Sequence, residues 1–216
     1  MKKNQNVLAG ILLLVGFAVW TFLIQEVDVQ PIGPNGSSVG FAALNGWFHQ
    51  LTGVHWMLYT LTDWLGLVPI CVCLIFAGAG FVQLVQRRSI FKVDLDIIML
   101  GAYYVLVIFG YLLFEMVPIN YRPVLIEGFL EASYPSSTTL LVLNVMPTLY
   151  FQVQRRLTAN ELRQTILIFS ILFSAFMVIG RLVSGVHWLT DIMGAVLLSS
   201  GMFQIYKACV NLLCKE

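Results

Sequence analysis

Three short stretches of the chain carry residue types suited to holding an anion and attacking it. The richest is Gly180-Arg181-Leu182-Val183-Ser184-Gly185-Val186-His187-Trp188-Leu189-Thr190-Asp191. If a helix begins near His187, Asp191 follows one turn on and faces the same side. A carboxylate there holds the imidazole Nδ1–H and leaves Nε2 free as a nucleophile. A lone histidine at a membrane edge is usually an amphipathic anchor. One with Asp191 four residues on and Arg181 six residues before it is much less incidental. The second stretch is Tyr134-Pro135-Ser136-Ser137-Thr138. Proline suits a first helical turn, and Ser or Thr satisfies its free amides. The same unpaired N–H groups and the helix dipole also bind phosphate, although capping alone accounts for this stretch when it is taken without its neighbours. The third is Asn120-Tyr121-Arg122-Pro123, where the residue before proline is held extended and the guanidinium is presented from a loop.

The elements that must position these residues belong to a membrane protein. Of 216 residues, 59% are hydrophobic and only 11% charged, whereas a soluble domain carries about 25% charged residues. One water-soluble core of this size cannot hide so much apolar surface. A soluble enzyme, a nucleic-acid binder and a disordered linker are thereby excluded, and a net charge of +1 gives no reason for a polyanionic partner. Charge-free stretches at Asn4–Gln25, Trp64–Gln86, Ile97–Phe114, Ala132–Gln154, Gln164–Gly180 and Ile192–Tyr206 match the roughly 20 residues of a spanning helix, the last only with its flanks. The expected architecture is all-α and polytopic, a single domain of six transmembrane helices over residues 1–216. Lys2 and Lys3 before the first span resemble the start of a signal peptide, but no small-x-small cleavage site precedes Gln25–Glu26, so the segment reads as an uncleaved anchor.

Six spans put Lys2, Lys3, Arg87, Arg88, Lys92, Arg155, Arg156, Arg163, Lys207 and Lys215 on one side, which the positive-inside rule makes cytoplasmic. Trp20, Trp47, Trp56, Trp64 and Trp188 then fall at the opposite boundary, as half of an aromatic belt. Both termini are expected in the cytoplasm of a multi-pass cell-membrane protein. The long outer segment 33–62 opens on turn residues and continues with apolar residues at Phe41, Leu44, Trp47, Phe48 and Leu51, the period of an amphipathic helix lying on the membrane. His49 and His55 have no carboxylates at ligand spacing and read as interfacial side chains. Cys71, Cys73, Cys209 and Cys214 lie in or beside apolar runs, as small hydrophobes or free thiols.

Of twelve Lys and Arg residues, Arg122 and Arg181 alone lie on the outer side. Charges kept at membrane depth pair with something or mark a site. Either they hold an anion together, or each makes a salt bridge, with Glu115, Glu127, Glu131 and Asp191 as the available partners.

Arg181, His187 and Asp191, in the pattern Arg-x5-His-x3-Asp, resemble the third motif of the type 2 phosphatidic acid phosphatase family, which is related to vanadium haloperoxidases. Gly185-Val186-His187-Trp188 and Gly194 are also typical of it. Pro135-Ser136 matches the start of the family's Pro-Ser-Gly-His motif, and Arg122-Pro123 the end of its Lys-x6-Arg-Pro motif. The resemblance implies a haloperoxidase-like helical core with an outward-facing site and phosphoryl transfer without a metal or other cofactor. It implies that His187 attacks phosphorus and Asp191 orients it, while Arg122, Arg181, Ser136 and amides near Ser137 hold the phosphate oxygens. The partner implied is a membrane lipid carrying a phosphate.

The chain departs from the family pattern at three positions. Glu115 stands where the first-motif Lys is expected, Ser137 and Thr138 replace Gly and His of the second motif, and Gly180 replaces the Ser that opens the third. Thr138 cannot serve as general acid at neutral pH, a function worth about 100- to 10,000-fold. An alkoxide leaving group needs that proton far more than a phosphate leaving group, whose second pKa is about 6. A polyprenyl diphosphate is therefore expected to be a better substrate than a phosphatidic-acid-like monoester. Glu115 either donates the missing proton or, as the favoured expectation, pairs with Arg122 or Arg181. The rival class is a catalytically impaired lipid-phosphate binding or transport protein of the same fold.

Overall fold

The computed structural model describes residues 2–214, with side chains from residue 5 onward. Its described residues form helices α1 (Lys2–Glu26), α2 (Ala42–Thr52), α3 (Trp56–Leu65), α4 (Leu67–Arg87), α5 (Leu95–Met116), α6 (Ser137–Arg156), α7 (Asn160–Val183) and α8 (Leu189–Leu213). Among them extended pairing is limited to isolated bridges. The all-α, membrane-spanning architecture expected from the sequence is the one observed.

Five helical units are long and apolar enough to cross a membrane: α1, α3 with α4, α5, α7 and α8. The sixth expected span is α6, whose 20 residues reach about 30 Å. It lies inside the bundle, against α4, α5, α7 and α8. Its inward side chains therefore meet protein instead of lipid, and polar ones are tolerated where they are bonded. Asn144 donates to Ser199 Oγ at 3.1 Å and accepts from the Tyr103 hydroxyl at 2.5 Å. Thr148 pairs with Tyr104 at 2.7 Å, and Gln152 donates to the Tyr206 hydroxyl at 2.7 Å. The apolar core lies beside this ladder, where Leu100, Tyr103 and Val107 of α5 meet Leu140 and Phe151 of α6 and Ala195, Leu198 and Tyr206 of α8.

The second span begins earlier than its charge-free stretch. Helix α3 starts at Trp56 and runs through Gly66, which keeps helical angles, into α4. Asp63 is thus carried inside a helix at the membrane edge, and the amphipathic segment shrinks from 33–62 to α2. Helix α2 does more than anchor. Asn45 is buried and its side chain meets the start of α8: Nδ2 donates to Thr190 Oγ1 at 3.0 Å, and the Thr190 N–H donates to Asn45 Oδ1 at 3.3 Å. Helix α1 packs along α8, and Trp20 Nε1 donates to the Thr190 carbonyl at 3.1 Å. A Cβ on Gly10 would stand 3.2 Å from the Gly201 carbonyl, so glycine permits this close approach.

Charge is concentrated at one end of the bundle, where Arg87 pairs with Asp94 at 2.7 Å and Arg156 with Asp96 at 2.7 Å. The Arg87 hydrogen bond holds the Asp94 carboxyl below the usual carboxylate range. Lys215, and the side chains of Lys2 and Lys3, lie outside the described residues. The four cysteines are free. The loops joining α1 to α2, α5 to α6 and α7 to α8 gather at the opposite end, where His55 N–H bonds the Ser184 carbonyl at 3.0 Å and Ser136 N–H the Asp191 carbonyl at 3.3 Å.

Candidate active site

A short hairpin between α5 and α6 builds half of the site. Its tip places Glu127 and Gly128 at φ 51° and 87°, the two left-handed residues of a tight hairpin turn, flanked by Ile126 and Phe129 bonded to each other in both directions. Further back, Arg122 N–H bonds the Glu131 carbonyl at 3.0 Å and Ser133 N–H bonds the Asn120 carbonyl at 2.9 Å. This register sets Arg122 and Ser133 on one ladder. The loop from α7 to α8 supplies the other half. Gly185 turns there with φ 71°, and a Cβ on it would stand 1.9 Å from the Gly53 carbonyl. His187 follows, just ahead of α8, with Trp188 as the residue that caps the helix.

Asp191, in the first turn of α8, is fully buried and receives three donors. The Trp188 N–H reaches Oδ2 at 2.9 Å, Asn120 Nδ2 reaches Oδ1 at 3.2 Å, and the Ser133 hydroxyl reaches Oδ2 at 2.5 Å. The expected direct bond between Asp191 and His187 is absent, since Nδ1 lies 3.8 Å from Oδ2. Ser133 Oγ fills the gap, 3.0 Å from Nδ1. On the other side of the ring, Arg122 Nη1 approaches Nε2 at 3.4 Å. Burial above all, and then the Arg122 guanidinium, push the His187 pKa down to about 4 against the opposing pull of Asp191. The imidazole is therefore neutral at pH 7, with a lone pair available to attack.

His187 and Arg122 line one cavity of about 180 Å³, together with Tyr111, Glu115, Glu131, Ser133 and Ser137. Arg122 is held from behind by Glu131, with Nε 3.0 Å from the carboxylate. Arg181 lies deeper, 2% exposed, at the end of α7. Its Nη2 donates to Asp63 at 2.6 Å and to Thr138 Oγ1 at 2.5 Å, and its guanidinium sits 4.9 Å from the Tyr59 ring centroid. Among the described residues its Nε and Nη1 have no hydrogen-bond partner. Two unsatisfied donors on a buried guanidinium suit an anion's oxygens. A second, more apolar groove of about 260 Å³ adjoins the first, sharing Tyr111 and Ser137 and running along Asp63, Ile70, Val107, Ile108, Thr138, Leu140 and Leu141.

The residues singled out from the sequence do not all play the parts expected of them. Ser137 opens α6 and lines the cavity, where the first turn's N–H groups have no preceding carbonyl. Ser136 is wholly buried and turns its hydroxyl onto Thr139 Oγ1 at 3.1 Å, away from the cavity walls. Thr138 is occupied by Arg181. Glu115 lines the cavity, but among the described residues it makes no ion pair with either arginine: Arg122 takes Glu131 and Arg181 takes Asp63. Both guanidiniums thus have carboxylate partners, and that of Arg122 also lines the cavity. Sequence reading missed Ser133, Asn120 and Asp63. Gly128 signals the turn, but a two-residue turn at 127–128 continued in register would pair 122 with 133 and 120 with 135. The observed pairing of 122 with 131 and 120 with 133 is shifted by two residues, which the sequence did not signal. Asp63 gave no such signal, since it falls between the outer segment 33–62 and the charge-free stretch that begins at Trp64.

The sequence pattern described as the PAP2 superfamily matches residues 98–213, which takes in most of α5 and all of α6 to α8 and leaves out Tyr59, Asp63 and Ile70. The chain has the fold of a transmembrane PAP2-type phosphatidylglycerolphosphate phosphatase from Bacillus subtilis, with a TM-score of 0.66 and 14% sequence identity, over 95% of this chain and 98% of that one. No curated protein sequence matches the chain. With more than half of its length in the family pattern, the chain belongs to the PAP2 superfamily.

Proposed function

We propose that the protein is a phosphatase that removes phosphate from a membrane lipid, a polyprenyl diphosphate in preference to a phosphatidic-acid-like monoester. The observation that carries this reading is His187: a buried imidazole whose Nε2 faces Arg122 in a cavity at the end of the bundle away from the Arg87–Arg156 charges. The Nε2 lone pair attacks phosphorus, an N–P bond forms, and the bond to the leaving oxygen breaks. Arg122, the free donors of Arg181 and the first-turn amides of α6 take the charge spread over the remaining oxygens. Water then attacks phosphorus, cleaves the N–P bond and returns the lone pair to Nε2, releasing inorganic phosphate. No step calls for a metal.

The adjoining apolar groove suits a hydrocarbon tail running from the phosphate into the bilayer, with Ser137 and Thr138 at the junction. With Thr138 engaged by Arg181, the leaving group's proton has two sources, solvent and Glu115, whose carboxyl lines the cavity without an arginine partner. A leaving phosphate manages with solvent, whereas a leaving alkoxide does not. By the positive-inside rule the site faces outward and both termini lie in the cytoplasm.

The rival reading, a lipid-phosphate binding or transport protein, draws support from the pairing of Arg181 with Asp63 and from the loss of the motif's cation and acid at Glu115 and Thr138. Phosphate release from a panel of lipid mono- and diphosphates, native protein against His187→Ala, decides between them. The phosphatase reading expects release that His187→Ala abolishes and phosphate trapped on His187 in the native protein. Tight lipid binding with neither release nor trapped phosphate would establish the rival.

A further inference from the structure

We propose that Ser133 is a positioning residue for His187, a hydroxyl inserted between the imidazole and Asp191 that selects the nucleophilic tautomer. The argument is a count of protons. Asp191 is fully buried, and three donors converge on its two oxygens: the Trp188 N–H, the Asn120 amide and the Ser133 hydroxyl. As a carboxylate it only accepts, so the single proton of Ser133 is committed to Oδ2 at 2.5 Å. Towards His187, 3.0 Å away, Ser133 Oγ has only a lone pair left to offer. Nδ1 must then carry the imidazole proton. A neutral ring has one N–H, so Nε2 carries the lone pair, and Nε2 is the nitrogen that Arg122 Nη1 approaches as a donor.

Asp191 cannot do this alone, because 3.8 Å from Nδ1 is too far for a hydrogen bond. The hairpin explains why Ser133 can. Its N–H is tied to Asn120, whose side chain also holds Asp191, so one ladder pair fixes both the relay and the carboxylate. Ser133 itself is 2% exposed, which keeps water from competing for the same position. During attack the imidazole becomes cationic, and the Nδ1–H···Oγ–H···Oδ2 chain lets the Asp191 carboxylate stabilise that charge while every proton stays on its own atom.

The proposal deepens the phosphatase reading, and its spectroscopic arm does not depend on turnover. Full-length protein labelled with ¹⁵N-histidine in detergent micelles near pH 7 should show His187 as a neutral ring protonated at Nδ1, its signals assigned by their loss in His187→Ala. Ser133→Ala should shift the ring to the Nε2–H form or to a mixture, and Ser133→Thr should restore the native pattern. Partners that orient an active imidazole are worth roughly 10- to 100-fold. Release of phosphate from farnesyl diphosphate should therefore fall by about that factor in kcat for Ser133→Ala, with KM within about twofold, and recover in Ser133→Thr. An Nε2–H ring in the native protein overturns the relay, even if neither variant folds. So does a Ser133→Ala protein with the native ring pattern and native kcat. If native protein releases no phosphate while its ring is the Nδ1–H form and Ser133→Ala shifts it, the phosphatase reading fails and the relay stands.

Discussion

The charge of Asp191 can be separated from its hydrogen bonds. In Asp191→Asn the new amide can keep its oxygen where Oδ2 accepts from Ser133 and Trp188, and turn its nitrogen towards Asn120. Asn120 then rotates its own amide by half a turn and accepts where it had donated. The Trp188 N–H and the Ser133 hydroxyl keep their acceptor, so folding stability should change less than in Asp191→Ala. What disappears is a negative charge 3.8 Å from Nδ1. When Nε2 attacks phosphorus the ring gains a positive charge, and at an effective dielectric of about 20 the lost attraction is about 4 kcal/mol. At 1.36 kcal/mol per decade that is a fall in kcat of about 1,000-fold. Asp191→Ala makes the contrast: it also leaves the Trp188 N–H and the Asn120 amide without acceptors, at about 1–3 kcal/mol each. The assay is phosphate release from farnesyl diphosphate beside thermal unfolding of each variant. A loss of kcat under about tenfold in Asp191→Asn, at unchanged Tm, would refute the claim that this carboxylate stabilises a cationic ring.

Three further outcomes are expected. Because burial holds His187 near pKa 4, its ring signals should stay in the neutral form from pH 8 down to pH 5, and the acid limb that it contributes to kcat/KM should fall near 4. A ring that titrates near the 6.5 of free imidazole contradicts the buried site. Thr138→His places the family's acid at the junction of the two cavities, so monoester hydrolysis should rise by at least about tenfold, with a smaller change for a diphosphate. An equal change for both substrates would remove the leaving-group argument. Glu115→Gln tests the proton donor: monoester turnover should drop by at least about tenfold, whereas unchanged turnover rules the carboxyl out.

Much of this arrangement was legible because a bilayer leaves few ways to place charge. Ten of the twelve Lys and Arg residues fall on one side of a six-span topology, and the helices bear out the spans that this topology requires. Hydropathy was a weaker guide wherever a helix faces protein. Helix α6 carries Asn144, Thr148 and Gln152 on a face that the other helices cover, so its composition understates how deep it lies. The reverse error came at Asp63, where a single charge ended the charge-free stretch while the helix itself ran on to Trp56. Its carboxylate is 60% exposed, and the guanidinium it meets is almost wholly buried.

The site was legible in its covalent spacing and obscure in its folded spacing. His187 and Asp191 are four residues apart, and that interval alone suggests a direct bond between them. Because α8 begins only at Leu189, His187 lies ahead of the helix and the ring stands off from the carboxylate. The Trp188 N–H takes the Asp191 oxygen that a helical His187 would have approached, and a residue 54 positions away in sequence bridges the remaining distance. Arg122 belongs to the same hairpin ladder as Ser133, so one backbone register positions both the guanidinium beside Nε2 and the hydroxyl beside Nδ1. This shared support gives a physical reason for the chain to hold its working imidazole without the motif lysine and histidine. In the proposed phosphatase, the hairpin would set where phosphorus sits relative to Nε2, and Glu115 and Thr138 would alter how much charge and proton transfer assist there.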